Sequence, residues 1–337
     1  RDTERGPKLS LSSNADITLE IVEAARQEPD RPVVSIAQIH PDMPFMEHDA
    51  EVGGDFFDLV VRNPAYDKTL FAVPNAAVPL QDYAAAVHAS SLVPDGGTLQ
   101  IGIGSLGDAI AHACIVRHEQ SADYRAMVET LTHQESPLQE DGRPFEQGLY
   151  VSTEMFVNGM MHLIEHDIVK RKVYDNLQLQ LGLNEGAISD AVDERLYEYG
   201  RNKGFIPVAL DQRSLIELQH WGIVAEDVVL DGDTLIVGGR KLPNALDHQE
   251  TREALLEQVA GTQLRHGRIL HGGFFLGPQD FYQKLRDLDA SASEQICMTG
   301  VRRTNQLLLD YPLYCAQRLQ ARFINTGMLV SLNGCVA

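Results

Sequence analysis

The chain has 337 residues, of which 44% are hydrophobic and 23% charged. This composition is typical of a folded protein of about two domains and unlike that of a disordered chain. Its 28 Lys and Arg residues stand against 48 Asp and Glu residues, a formal net charge of −20 without any long basic run. We therefore expect no nucleic-acid partner. A small anionic ligand is not excluded, because a few hydrogen-bond donors close to the ligand outweigh the average negative potential of the whole chain.

The sequence has neither a run of about 18 apolar residues nor the apolar core of a signal peptide. We therefore expect no transmembrane helix and no membrane partner. The four cysteines are far apart and none stands in a CxxC spacing, so neither a disulfide framework nor a zinc site is expected. A cytoplasmic location follows as a prediction. The sequence does not begin with Met and ends after an apolar, strand-like run, from which we expect an incomplete chain.

The spacing of apolar residues divides the chain near residue 80. After that point strand, glycine loop and helix follow one another, the order of elements in a parallel α/β sheet. Residues 117–147 are polar and are expected to form a surface excursion. Predicted helices cover residues 16–28, 83–92, 108–116, 155–169 and stretches near 190–199, 213–220 and 250–264. Predicted strands cover residues 33–37, 58–61, 70–73, 98–101, 150–152, 268–275 and 323–330, with a hairpin over 228–237.

A glycine loop, Gly102-Ile103-Gly104-Ser105-Leu106-Gly107, follows the strand predicted at 98–101. A ligand can approach the backbone N–H groups of glycine closely, and the start of the next helix adds a field that favours negative charge. The spacing also fits a dinucleotide-binding loop, but no strand-ending acid follows about 20 residues on. The loop therefore predicts either an anion-binding site or a plain strand-to-helix turn.

Glu154 stands in the tract GLYVSTEMFVNG, residues 148–159, where a predicted strand gives way to a helix. Open α/β sheets bind ligands at the carboxyl ends of their strands, and a carboxylate there can act as a base or a nucleophile. The alternative interpretation is a charge that only complements the dipole of the following helix.

Two asparagines, Asn305 and Asn325, are also candidates, because an amide at a strand end can hydrogen-bond a ligand carbonyl. Asn325 stands close to Gly327, which is equally typical of a turn. Arg302 and Arg303 either meet phosphate groups or form a solvated pair.

A pair of histidines, His162 and His166, has the four-residue spacing that can ligate zinc on a helix. The order of residues is HLIEH rather than HExxH, and no third ligand is evident. Surface or packing roles are therefore expected for both.

Four tracts together resemble the acetyl-CoA hydrolase/transferase family of class I coenzyme A transferases. They are residues 94–111 (PDGGTLQIGIGSLGDAIA), 148–159, 270–286 (LHGGFFLGPQDFYQKLR) and 296–336. Residues 9–45 are similar to the end of the family's first domain. The resemblance covers most of the chain except two apparent insertions, at about 117–147 and 184–265.

The resemblance implies an α/β fold of the NagB/RpiA/CoA-transferase-like kind, with parallel-sheet domains and flanking helices. Residues 1–80 would form the C-terminal part of a first domain plus a linker, and residues 81–337 a second domain with the two insertions.

The resemblance also implies a site and an activity. Glu154 falls on the catalytic glutamate, which forms a glutamyl-CoA thioester. The implied activity is that of an acyl-CoA:carboxylate CoA-transferase or an acetyl-CoA hydrolase on short-chain acyl-CoA. Coenzyme A would be substrate and product, with no separate cofactor and no metal. A small carboxylate would be the other partner. The protein would be a homodimer. The implied CoA-binding residues are Gly102, Ile103, Gly104, Ser105, Leu106, Asn305 and Asn325.

Two acidic positions of the family's NSAxEVD pattern are Leu329 and Ser331 here. The family's glycine-rich segment that also contacts CoA would lie beyond Ala337. These departures favour a second class, a non-catalytic CoA-binding or assembly subunit. A nucleotide-dependent oxidoreductase is a third class, opposed by the missing ribose-binding acid and by the Glu154 tract.

Overall fold

The computed structural model describes residues 2–3, 6–28, 30, 32–74, 77–132 and 138–336. Their contacts divide the chain into two compact units. One comprises Arg1–Lys172, Arg268–Tyr311 and Arg318–Ala337, and the other Val173–Gly267 and Pro312–Gln317. The segment predicted as an insertion at 184–265 belongs to the second unit. The division predicted near residue 80 falls within the first unit and stays a prediction.

The strands are short, and several contain β-branched or aromatic residues. In chain order they are β1 (Asp2–Thr3), β2 (Gly6–Ser10), β3 (Ile36–Gln38), β4 (Glu51–Gly53), β5 (Leu59–Val61), β6 (Thr98–Ile101), β7 (Tyr150–Phe156), β8 (Val229–Asp231), β9 (Thr234–Val237), β10 (Arg240–Pro243), β11 (Leu270–Phe275), β12 (Ile296–Met298) and β13 (Arg322–Ile324).

The helices of the described residues range from one to four turns. In chain order they are α1 (Ala15–Arg26), α2 (Leu80–Ser90), α3 (Ser105–Glu119), α4 (Ser121–Leu131), α5 (Asn158–Glu165), α6 (Leu177–Asn184), α7 (Glu194–Lys203), α8 (Gln212–His220), α9 (Gln249–Gln258), α10 (Gln279–Arg286), α11 (Ala290–Gln295), α12 (Val301–Asn305) and α13 (Tyr311–Gln317). Of these described helices, none combines the length and the apolar character needed to cross a membrane.

A five-stranded sheet organises the first unit, with the order β12-β11-β7-β6-β13. Every neighbouring pair is parallel. Successive residues of the central strands are buried, as in strands covered on both faces, and Leu99, Val151 and Leu270 are completely buried. All five carboxyl ends therefore lie at one edge of the sheet, which is the edge where open α/β sheets bind ligands.

The N-terminal stretch of the first unit joins this sheet through side-chain hydrogen bonds. The Ser13 hydroxyl donates to the Phe275 carbonyl at 2.7 Å and accepts from the Phe275 amide at 2.9 Å, at the end of β11. Smaller sheets lie in the same unit, the antiparallel β1-β2-β4 and the parallel pair β3-β5.

The second unit has its own hydrophobic core, in which Leu196, Ile223 and Leu235 are completely buried. Its helix starts are capped in the expected manner. The Asp193 side chain accepts from the Leu196 amide at α7, and a capping box at α8 joins Asp211 and Ser214. The predicted hairpin is confirmed as β8 and β9, which pair antiparallel.

Several predicted elements have shifted ends, such as the strand at 33–37, which is β3, and the helix at 155–169, which is α5. Three further segments differ more from the sequence predictions. Residues 70–73 are irregular rather than a strand, although the Val73 amide donates to the Gly277 carbonyl at 3.1 Å. The strand predicted at 323–330 ends at Ile324, and it is not buried, because β13 is an edge strand with β6 as its partner and Phe323 is 52% exposed.

The third difference lies in residues 117–147, predicted as a polar surface excursion. They contain α4, whose Tyr124 and Val128 are buried at the four-residue spacing of one helix face. That part of the prediction was wrong because two apolar residues among many polar ones suffice to pack a short helix. Residues 133–137 of this segment lie outside the described residues.

Candidate functional site

The candidate residues follow neighbouring strands at the carboxyl edge of the parallel sheet. Ile324 is paired with Ile101, so Asn325 and Gly102 come next on β13 and β6. Leu99 is paired with Val151, so the glycine loop after β6 and Glu154 of β7 both follow this pair in the direction of the carboxyl ends. Adjacent strands lie about 5 Å apart. The register therefore sets Asn325 beside Gly102, at the same edge of the sheet as Glu154.

Glu154 is the fifth of the seven residues of β7, and its side chain is exposed while Ser152 and Thr153 before it are buried. The following helix begins only at Asn158. A helix dipole acts within its first turn, so the interpretation of Glu154 as a helix N-terminal charge is wrong.

The strand beside Glu154 has a glycine at the matching level. A Cβ atom on Gly273 of β11 would lie 2.8 Å from the Glu154 carbonyl oxygen and 2.9 Å from Cγ1 of Val301. Real Cβ atoms do not approach backbone so closely. The glycine thus lets α12, which begins at Val301, pack tightly over the strand next to Glu154.

Asn305, the last residue of α12, contacts Glu154 directly. Its Nδ2 donates to Glu154 Oε2 at 3.0 Å. Its Oδ1 accepts from the hydroxyl of Thr304 at 3.3 Å, and Thr304 is 4% exposed. The single proton of the Thr304 hydroxyl is shared with the Val301 carbonyl, at 3.1 Å. Because a carboxylate can only accept, the contact with Glu154 itself requires that Nδ2 of Asn305 faces it.

The glycine loop has a conformation that only glycine permits. Gly104, the N-cap of α3, has φ of +93° and ψ of −176°, a region that side chains exclude. With no capping side chain there, the first N–H groups of α3 lack helical acceptors and face the field of the helix start. These are the groups that a negative oxygen would bind.

Gly107 has a different reason to be glycine. A Cβ atom there would lie only 2.0 Å from the Gly102 carbonyl oxygen, so the helix packs directly on the end of β6. The loop is also held from the side, because the Ser105 hydroxyl donates to Asp82 Oδ2 of α2 at 2.5 Å.

Asn325 pairs with Gln100 of β6 through two hydrogen bonds of 3.1 Å, each amide donating to the other's oxygen. A Cβ atom on Gly102 would lie 3.1 Å from Asn325 Oδ1, so a glycine at the strand end makes room for this pair. Each amide of the pair uses one N–H and one lone pair, which leaves Asn325 a second donor and acceptor for a ligand.

Burial perturbs one carboxyl group near the glycine loop. Asp108, in the first turn of α3, has a pKa raised above its ordinary value because the carboxyl is buried, while the nearby His162 opposes the rise.

The histidine pair has protein partners rather than a metal-ligand geometry. The His162 ring contacts Glu165 at 3.0 Å and the His166 ring contacts Glu119 at 2.6 Å. Within the part of the chain that the structure describes, no group of His, Cys, Asp or Glu residues has an arrangement that could hold a metal ion.

Some contributors to this site were missed by sequence reasoning. Asp82, Gln100, Thr304 and Gly273 each hold or make room for a predicted residue. A signal existed for Gln100, because it is a polar residue between Leu99 and Ile101 in the strand that precedes the glycine loop. The other three are recognisable only once the strands and helices are placed.

Comparisons with known proteins bear on the fold. No protein-family model matches the chain, and no curated protein matches it. The crystal structure of RipA from Yersinia pestis is similar, with a TM-score of 0.50 and 16% identity over 100% of this chain and 46% of that chain. A RipA point mutant has a TM-score of 0.50 and 17% identity over 100% of this chain and 45% of that chain. The chain thus spans less than half the length of RipA.

A 4-hydroxybutyrate CoA-transferase from Porphyromonas gingivalis has a TM-score of 0.34 and 23% identity over 51% of this chain and 34% of that chain. At these identities the RipA likeness shows the fold alone. The RipA likeness, the parallel sheet and its flanking helices together confirm the predicted α/β fold class.

Proposed function

We propose that the chain carries out acyl-CoA chemistry at Glu154, as an acyl-CoA:carboxylate CoA-transferase or an acetyl-CoA hydrolase. The observation that carries the proposal is the 3.0 Å hydrogen bond from Asn305 to Glu154, at the sheet edge where the register also sets the glycine loop and Asn325. An exposed carboxylate held by a fixed amide, beside unsatisfied backbone donors, is equipped for nucleophilic attack on an acyl group.

In the proposed reaction a Glu154 oxygen attacks the thioester carbonyl carbon and CoA leaves as the thiolate, which gives an acyl-glutamyl anhydride. The thiolate then attacks the glutamyl carbonyl carbon and releases the acyl group as a carboxylate, leaving a glutamyl-CoA thioester. An acceptor carboxylate reverses these steps to form a new acyl-CoA. Water instead hydrolyses the thioester to Glu154 and free CoA. The covalent intermediates divide one difficult step into easier ones.

The glycine loop and Asn325 have separate proposed tasks. The Gly102 N–H already donates to the Ile324 carbonyl at 3.1 Å. Backbone N–H groups of residues 103–106 stabilise the oxyanion that develops on the attacked carbonyl, and one such donor is typically worth about 3 kcal/mol. Asn325, held by Gln100, binds the CoA portion, whose remote binding energy is used at the reacting centre. Acyl-CoA and a small carboxylate are the proposed partners, and coenzyme A is substrate and product rather than a resident cofactor.

The test is intact-protein mass spectrometry after addition of acetyl-CoA, with wild type, Glu154→Ala and Glu146→Gln compared. Glu146 is an exposed glutamate of the same unit and serves as the control. We expect a CoA-sized adduct on wild type and Glu146→Gln that hydroxylamine removes, and none on Glu154→Ala. Full acyl-CoA turnover by Glu154→Ala would contradict the covalent mechanism.

A non-catalytic CoA-binding subunit is the second candidate, and the C-terminal segment favours it. Leu329, which replaces one of the family's acids, is 66% exposed. Ser331, which replaces the other, uses its hydroxyl to hold a turn with Asn333 and Cys335. Retention of CoA on the purified protein without any adduct after acetyl-CoA treatment would select this candidate.

A further inference from the structure

We propose that Arg302 anchors the carboxylate of the acyl acceptor beside Glu154 and thereby determines whether the glutamyl thioester passes CoA to an acid or to water. The inference rests on the proposed function and says which residue recognises its second substrate. The observation behind it is the position of Arg302 on α12, three residues before the asparagine that contacts Glu154.

The geometry of α12 decides which residues flank Asn305. At 100° per residue, Val301 and Thr304 lie about 40° and 100° around the axis on one side of Asn305. Arg302 lies about 60° away on the other side. Thr304 is buried, and Val301 packs against β11. Arg302 is exposed, so it borders Asn305 on the side that is open to solvent.

The charged groups around Arg302 leave its guanidinium available to bind a carboxylate. Among the residues that the structure describes, no carboxylate oxygen forms an ion pair with it within 4.0 Å. The Glu20 carboxylate of α1 packs against Gly300, the residue that precedes α12. A planar guanidinium without an internal partner is suited to bind a carboxylate through two parallel hydrogen bonds.

Arg303, the neighbouring cation, is not equivalent. It lies about 160° around the helix from Asn305, and its carbonyl accepts a hydrogen bond from the Arg318 guanidinium. The backbone of Arg303 is therefore part of the packing that holds α12, whereas the side chain of Arg302 is free to meet a substrate.

The chemistry separates acceptor binding from the earlier steps. An oxygen of the acceptor carboxylate attacks the glutamyl thioester carbon and the CoA thiolate leaves, which forms a new anhydride. The thiolate then attacks the acceptor-derived carbonyl carbon and frees Glu154 as a carboxylate. Formation of the glutamyl thioester and its attack by water do not require an anchored anion. Loss of Arg302 is therefore expected to affect transfer and to spare hydrolysis.

The test compares Arg302→Gln and Arg302→Lys with wild type, using acetyl-CoA as donor and propionate as acceptor. Arg213→Gln, which removes the same charge from an exposed position of the second unit, is the control. In Arg302→Gln we expect the KM for propionate to rise about tenfold or more. The rate of hydrolysis and the KM for acetyl-CoA should stay within about twofold of wild type, and the thermal midpoint should not shift. We expect the same of Arg213→Gln. Arg302→Lys is expected to be intermediate.

An unchanged KM for propionate in Arg302→Gln, with the Glu154 adduct still formed, would contradict the role of Arg302 while leaving the proposed function intact. An equal rise in the KM for acetyl-CoA would assign Arg302 to CoA phosphates and overturn the proposal. Absence of any adduct on wild type would instead overturn the proposed function, and the role of Arg302 with it.

Discussion

Asn305 donates a hydrogen bond to Glu154 at 3.0 Å, joining the end of α12 to a strand 151 residues earlier in the chain. The bond reaches Oε2, and no donor among the described residues reaches Oε1. One carboxylate oxygen is thus held and the other is left to react. Because a carboxylate can only accept, Nδ2 of Asn305 faces Glu154, and the direction of the contact is set by the protein and not by the substrate.

The first prediction concerns that contact. Asn305→Ala is expected to slow formation of the Glu154 adduct about 10-fold to 100-fold, since a hydrogen bond to a charged group contributes about 1.5–3 kcal/mol. Adduct formation is followed by quenching the reaction at set times and measuring the mass of the intact protein. Gln306→Ala, at the exposed position next to Asn305, should react as wild type does. An unchanged rate in Asn305→Ala would show that the contact has no part in catalysis.

The second prediction concerns the amide pair. Gln100→Leu leaves the Asn325 amide without either of its hydrogen bonds, so the KM for acyl-CoA should rise about tenfold. Asn325→Ala should act similarly, and the double variant should be no worse than either single one, because both changes disable one unit. Strictly additive effects in this double-mutant cycle would mean that Gln100 does not act through Asn325.

The third prediction concerns the helix that follows the glycine loop. Gly107→Ala would place a Cβ atom 2.0 Å from a backbone oxygen that cannot move alone, so the loop must shift. We expect a loss of about 3 kcal/mol in the free energy of unfolding together with loss of acyl-CoA binding. His112→Ala introduces an alanine at an exposed position of the same helix and is the control for a substitution in α3 away from the loop. A stable, fully active Gly107→Ala protein would refute the packing described for this loop.

The fourth prediction concerns pH. Burial raises the pKa of Asp108, so the folded state binds more protons than the unfolded state between the ordinary value of 3.8 and the raised one. The stability contributed by this group is present below that window and is lost as the pH rises through it. Asp108→Asn should therefore gain stability relative to wild type as the pH increases.

Urea unfolding of Asp108→Asn across about pH 4 to 7 measures this change. Asp123→Asn removes the same charge from an exposed position of α4 and corrects for the effect of charge alone. If both variants show the same pH dependence, the burial of Asp108 does not influence stability.

Local patterns predicted the strand at 98–101, the glycine loop and the hairpin in the second unit, because each depends on residues adjacent in sequence. Glu154 and Asn305 were proposed separately, and their contact depends on the order β12-β11-β7, which no local pattern contains. The predicted strand at 323–330 failed for the same kind of reason. The apolar residues there resemble a buried strand, but the sheet ends at β13 and leaves Phe323 52% exposed.

In the proposed mechanism the Glu154 carboxyl group forms a thioester with CoA, and peptide-level mapping tests this step. Protein treated with acetyl-CoA and then borohydride is digested, and the peptide containing residues 148–159 is sequenced by tandem mass spectrometry. Reduction of a glutamyl thioester gives a primary alcohol, so we expect this product at Glu154 in wild type treated with acetyl-CoA and not in untreated protein. An unmodified Glu154 in protein that turns over acetyl-CoA, or the alcohol at another carboxylate, would contradict it.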